Sequence, residues 1–145
     1  MQVRLTNIVD IETLTTKNFI PSSGLSYLIE FDNTKILFDT GDQRKVLRNN
    51  MQLLDINPET IDKVVLSHGH WDHTFGLPEI LQAREKAPIL EVIAHPNAFK
   101  KRRIADLKQR IHGLLKYRTY NLGFPKLSPD LQKRVILKPI TEPYK

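Results

Sequence analysis

The sequence predicts a single α/β (α+β) domain over residues 1–145, and three observations carry that expectation. Short β-branched apolar runs alternate with stretches of helical periodicity along the chain. Turn and cap residues fall between them, where such elements must end. A length of 145 residues suffices for one hydrophobic core, and 40% hydrophobic with 26% charged residues excludes a disordered chain.

Ser26 to Asp39, SYLIEFDNTKILFD, reads as two strands. Tyr27, Ile29 and Phe31 alternate with Leu28 and Glu30, and Asp32-Asn33-Thr34 supplies the turn before Lys35-Ile36-Leu37-Phe38. So short a loop predicts an antiparallel hairpin. Thr40-Gly41-Asp42 ends the second strand, and a helix starts near Gln43, with Val46, Leu47, Met51 and Leu54 at helical spacing. Asn57-Pro58-Glu59 is a helix-start signal, Asn as cap and Pro at the first position. Lys63-Val64-Val65-Leu66 is a buried strand. Leu77-Pro78-Glu79 opens a helix through about Lys86, and Leu90 to Ala94 is a further strand. Asn97 caps a longer expected helix with the apolar stripe Ile104, Leu107, Ile111 and Leu114 or Leu115. Beyond Asn121 the chain is Pro-rich, with one more strand at Arg134 to Leu137.

With no cysteine, disulfides and thiolate metal sites are excluded. No apolar run approaches the roughly 18 residues of a membrane span, and MQVRLTNIVD lacks a signal peptide's apolar core. The expected address is cytoplasmic, with no membrane partner. The net charge of +6 is concentrated between Asn97 and Arg118. Such a stretch attracts phosphate, but solvated basic faces are common, and no RNA- or DNA-binding motif accompanies this one. A small molecule that can be phosphorylated is the expected substrate, ahead of nucleic acid.

Residues 66–76, LSHGHWDHTFG, carry the chemistry. His68, His70, Asp72 and His73 lie within six positions, directly after a buried strand. Apart from them, no ionisable side chain occurs between Lys63 and Glu79. Loops at the C-terminal ends of strands are where α/β folds place ligands. In an extended backbone His68 and His70 project to the same side and can reach one cation, while Asp72 and His73 lie beyond the turn and can address a second. Neutral imidazole and carboxylate suit zinc, iron or manganese. Two such ions about 3.5–4 Å apart can lower the pKa of a shared water toward neutrality.

The H-x-H-x-D-H order after a strand, here VVLSHGHWDHTFGL, resembles the metallo-β-lactamase superfamily, and Ile36-Leu37-Phe38-Asp39-Thr40-Gly41 is similar to that superfamily's strand ending in Asp-Thr-Gly. GLSYLIEFDNTKILFDTGD and VIAHPNAFKKR bring the resemblance nearest to the dihydropterin ribofuranosyl-aminobenzene phosphate synthase branch, many of whose members are called metal-dependent hydrolases. The resemblance implies an αββα sandwich and two divalent ions, zinc foremost. It implies His68 and His70 at the first ion and Asp72 and His73 at the second. Asp39 would orient ligands from beneath, and Asp72 would double as a proton carrier. The implied activity is hydrolysis by a metal-activated water, or the related pterin condensation.

The superfamily completes its site with a later histidine, a bridging aspartate and a last histidine, and only His95 and His112 remain here. His95, after a strand in Ala94-His95-Pro96, is a possible additional ligand; His112 is expected to be exposed or capping. The chain therefore reads as the N-terminal half of such a domain plus a helical insert, C-terminally truncated relative to the family. Three alternatives stay open: a fragment of a longer reading frame, a half completed by a second copy or another chain, and a metal-binding remnant without catalysis. The rival functions are a non-catalytic half-fold that binds metal or a partner, and a nuclease using the basic stretch.

Overall fold

The computed structural model describes residues 2–12, 18–106, 110–111, 114–115 and 118–142. Its strands are β1 (Val3–Val9), β2 (Ser26–Phe31), β3 (Thr34–Phe38), β4 (Lys63–Val65) and β5 (Leu90–Ala94). Four short ones follow, β6 (Arg103–Asp106), β7 (Arg110–Ile111), β8 (Leu114–Leu115) and β9 (Arg118–Asn121), and last β10 (Val135–Pro139). The helices are α1 (Arg44–Leu53), α2 (Trp71–Thr74), α3 (Leu77–Ala83) and α4 (Pro129–Gln132).

One sheet has the spatial order β1-β2-β3-β4-β5-β10. Its first three strands pair antiparallel and the rest parallel, because β2 and β3 are joined by a tight turn while β3, β4 and β5 are joined through helices. The turn is Asp32-Asn33, and Asp32 takes φ 50°, a conformation Asp tolerates better than most residues. Registration aligns Leu28, Leu37, Val64 and Val92 across one face. All four are buried, and with Val46, Leu47, Met51, Leu77, Ile80, Leu81 and Leu131 they form the core beneath α1, α3 and α4. The opposite face carries half-buried Tyr27, Ile29, Phe31, Ile36, Phe38 and Val65, beside Val3 and Leu5, which are exposed.

Asn57 accepts from the Glu59 N–H at 3.0 Å and caps a 3-10 turn at Pro58–Thr60, as its sequence signal predicts. That turn is clamped by Arg84, which is 5% exposed and donates to the carbonyls of Pro58, Glu59, Ile61 and Pro88. Asn50, also buried, donates to Ile8 and Ile20 carbonyls and accepts from the Ile20 N–H, tying the chain before β2 to α1.

The expected helical insert is corrected. Where a helix from Asn97 was predicted, a 3-10 turn spans Pro96–Phe99, followed by the two-stranded pairings β6–β9 and β7–β8. Only Lys100 and Arg103 stand at a like-charge helical spacing there, but Gly113 would fall inside the predicted helix, where glycine costs about 1 kcal/mol relative to alanine. Asn97 is not a cap; it lies inside the turn and is itself capped by His95. Leu107 and His112 lie outside the described residues. β1 and α4 are elements the sequence reading did not identify.

Candidate metal centre

Asp39 is the centre of the site's construction. It ends β3, is fully buried, and takes φ 55°. Its N–H continues the β3–β4 ladder by donating to the Val65 carbonyl at 2.9 Å. The positive φ then turns the chain off the sheet and aims the carboxylate across the end of β4. There Oδ1 accepts from the Ser67 N–H at 2.8 Å. Oδ2 accepts from the Ser67 hydroxyl at 2.6 Å and from His73 Nδ1 at 2.7 Å. Three donors thus satisfy the acceptor oxygens of this buried carboxylate. Thr40 completes the anchorage, its N–H and hydroxyl both donating to the His73 carbonyl.

After a bend at Ser67 the chain reaches His70 in an extended conformation (φ −73°, ψ 150°), then turns into α2. His68 and His70, two positions apart, approach each other at the mouth of this loop. His68 Nε2 lies 2.9 Å from His70 Nδ1, and the His68 ring sits 4.2 Å from that of His73. His73 Nε2 faces the Asp72 carboxylate at 3.9 Å. The loop is held by close backbone approach. A Cβ on Gly69 would stand 2.3 Å from the Ala98 carbonyl oxygen, and one on Gly24 (φ 84°) would overlap the Asp72 carbonyl. The Trp71 N–H also donates to the Leu122 carbonyl.

His68 is held below the ordinary histidine pKa, first by desolvation and then by the neighbouring imidazoles of His73 and His70, with Asp39 and Asp72 opposing. A neutral ring is the form a cation needs. Arg102, at the rim, donates to His70 Nε2 at 3.1 Å. His95 sits at the end of β5, and its Nδ1 accepts from the Asn97 N–H at 3.2 Å; among the described residues no hydrogen bond joins it to the cluster.

Two nitrogens bound to one tetrahedral zinc at 2.0–2.1 Å would lie roughly 3.4 Å apart. The 2.9 Å between His68 and His70 is within a small side-chain adjustment of that. The His73 Nε2 and Asp72 pair likewise admits an ion between its atoms. The donor pairs therefore fit in kind and spacing, although among the described residues no group of three or more such donors is arranged to hold one ion. A surface concavity lined by Arg48, Glu85, Asp130 and Arg134 includes none of these histidines.

The sequence profile of the metallo-beta-lactamase superfamily matches residues 20–137. The chain belongs to that superfamily. Its members commonly bind divalent metals. Over 86 residues the chain is 44% identical to the 7,8-dihydropterin-6-methyl-4-(beta-D-ribofuranosyl)-aminobenzene-5'-phosphate synthase of Methanocaldococcus jannaschii, covering 57% of this chain and 29% of that protein. Over 57 residues it is 40% identical to ribonuclease Z of Nanoarchaeum equitans, covering 39% of this chain and 17% of the other. The match thus spans less than a third of either relative's length. Among solved structures, the metallo-beta-lactamase fold protein YhfI of Bacillus subtilis superposes with TM-score 0.50 at 21% identity, over 64% of this chain and 38% of that one. This metallo-beta-lactamase fold likeness accords with the expected fold class, of which the chain supplies a six-stranded mixed sheet with helices on one face.

Sequence reading missed three contributors to the site. Ser67 precedes the first histidine as a small hydroxyl residue between strand and ligand, a signal that could have been taken. Arg102 and Gly24 reach the loop only through the fold.

Proposed function

We propose that this chain carries the metal-binding part of a metal-dependent hydrolase acting on a small phosphorylated substrate. The observation that supports this best is Asp39, which is buried and orients His73 directly and His68 through Ser67. A core aspartate committed to holding two imidazoles with one nitrogen each turned outward has little structural purpose otherwise. In this reading His68 and His70 hold one ion and Asp72 and His73 a second, with zinc, iron and manganese all compatible with the nitrogen and oxygen set. Bound there, such ions would supply Lewis acidity and lower the pKa of a water toward neutrality. Asp72, partly exposed beside His73, would take the proton released from that water. Arg102 puts a positive charge at the rim, where a phosphate would sit. Further donors would come from a longer chain, a second copy or another subunit.

The test is metal content per chain, with the His68→Ala/His70→Ala variant alongside, followed by hydrolysis of an activated phosphodiester and a phosphomonoester. Bound zinc, iron or manganese that the double variant loses, together with turnover, is expected. Absence of metal after incubation with each ion would refute the reading. A second reading, a half-fold that binds a partner without turnover, is favoured by the lack of three convergent donors among the described residues. It requires partner binding to survive the same double substitution. Salt-sensitive RNA binding would instead bring the nuclease reading forward.

A further inference from the structure

Arg84 is a buried cation without a counter-ion at hand. It is 5% exposed, and its Nη1 and Nη2 donate to the neutral carbonyls of Pro58, Glu59, Ile61 and Pro88. Among the described residues no carboxylate oxygen comes within ion-pair distance of it. Desolvation holds its pKa below the ordinary guanidinium value, outweighing Asp62 and Glu59, which act from farther off. Its Nε–H is buried as well and finds no acceptor among the described residues. Buried charges are ordinarily paired, and buried donors ordinarily bonded.

Nε and Nη2 project hydrogens from one edge of the guanidinium, and Nη2 reaches the Pro88 carbonyl at 3.1 Å. On that side Arg84, Pro88 and Ile89 line a cavity of about 140 Å³ together with Glu85, Lys133 and Arg134. The last two bring further positive charge from the turn between α4 and β10. Lys133 meets only the exposed carboxylate of Asp130 at 3.8 Å, a weak pairing in water, and Arg134 donates to the Leu81 carbonyl at 3.4 Å. Glu85 is the one carboxylate that lines the cavity, against three cations. We infer that this cavity is a binding site for a small tetrahedral oxyanion, inorganic phosphate foremost, held by Lys133, Arg134 and the unpaired Nε–H of Arg84. Such charge-assisted hydrogen bonds to oxyanions are the strong ones. The ion reaches Nε as the exposed side chains of Glu85 and Ile89 turn outward. The site lies where the parallel strands β5 and β10 begin, at the opposite end of the sheet from the histidines, which follow the C-terminal end of β4. It is independent of the metal-binding reading, and its ion would fasten the loop after α3 to the turn before β10.

Titration of inorganic phosphate into the metal-free chain tests this, with chloride holding the ionic strength constant and proton–nitrogen correlation spectra as the readout. The Arg84 Nε–H and the backbone N–H groups of Ala87 and Ile89 should shift and saturate, and Tm should rise with phosphate as for any ligand of the native state. Lys133→Gln/Arg134→Gln should weaken phosphate by about 10–100-fold through the loss of hydrogen bonds to charged groups. Glu85→Gln, which removes the opposing charge, should tighten it several-fold. Shifts that do not saturate, that chloride reproduces, or that fall only on His70 and Arg102 would overturn the inference, as would wild-type affinity in the double variant. Should the double variant fail to fold by circular dichroism, the wild-type titration and Glu85→Gln decide, an unchanged affinity in Glu85→Gln counting against the site.

Discussion

Replacing Gly69 by alanine tests whether the loop bearing the histidines owes its position to backbone contact with the turn after β5. Gly69 does not have positive φ, so the penalty is steric alone. The added Cβ would stand 2.3 Å from the Ala98 carbonyl oxygen, 2.7 Å from its Cα and 2.8 Å from its carbonyl carbon. Ordinary contact needs about 3.4 Å, so the two backbones must part by roughly 1 Å. The Ala98 side cannot easily yield, because its N–H donates to the His95 carbonyl at 2.8 Å within a Pro-initiated turn. Overpacking of this kind costs about 1–3 kcal/mol, which for a chain of this size lowers Tm by roughly 3–12 °C. A displacement of about 1 Å also exceeds the roughly 0.5 Å to which a metal site must be held, so cobalt affinity should fall at least about tenfold. Thermal scans by circular dichroism read the first effect and cobalt titration the second. A variant melting within about 1 °C of wild type with unchanged affinity would show that the loop is placed by something else.

Asp39→Asn keeps a residue that tolerates positive φ, so strain is absent and only the charge and one acceptor are lost; metal affinity should drop about 10–100-fold, read by the same titration. Arg84→Ala removes a donor from four carbonyls, two of them in the Asn57-capped turn and a third, Ile61, just beyond it, and should cost about 3–5 kcal/mol in urea unfolding, with Arg84→Lys recovering little because an ammonium cannot span them. Because His68 is held below its ordinary pKa, the unfolded metal-free chain binds more protons than the folded one as pH falls through the usual histidine value. Wild type should therefore lose more stability between pH 7.5 and 5.5 than His68→Asn, and equal losses would contradict that assignment. Arg102→Gln removes a cation that donates to His70 Nε2, and should raise cobalt affinity several-fold at low salt, with the gain shrinking as salt is added.

The parts of the fold that could be read from the sequence are those governed by local chemistry. The Asp32-Asn33 turn, the Asn57-Pro58 cap and the β-branched Lys63–Val65 run each state their conformation within a few residues, and each forms as expected. The Asn97–Arg118 stretch misled because its apolar residues fall at helical spacing, although Gly113 within it disfavours a helix. β1 alternates only over Val3-Arg4-Leu5-Thr6, with Val3 and Leu5 left exposed, and it pairs along the edge that β2 offers. At the site, the motif histidines could be named from spacing and Asp39 from the resemblance, but the hydrogen bonds of Ser67 to Asp39 and of Arg102 to His70 depend on separate segments meeting at the end of the sheet.

The sheet's change from antiparallel to parallel pairing also sets an order in time. β2 and β3 close over two residues, an event of about 1–10 μs, whereas β4, β5 and β10 must return from far along the chain to align beside their partners, and such distant parallel pairings are slow. Asp39 ends the early hairpin, while Ser67 and the histidines arrive only with β4. The carboxylate is therefore in place before the groups it must orient, and each imidazole meets its acceptor as it docks. An ion present in the medium would encounter the cluster late, after the scaffold that aims it has been built.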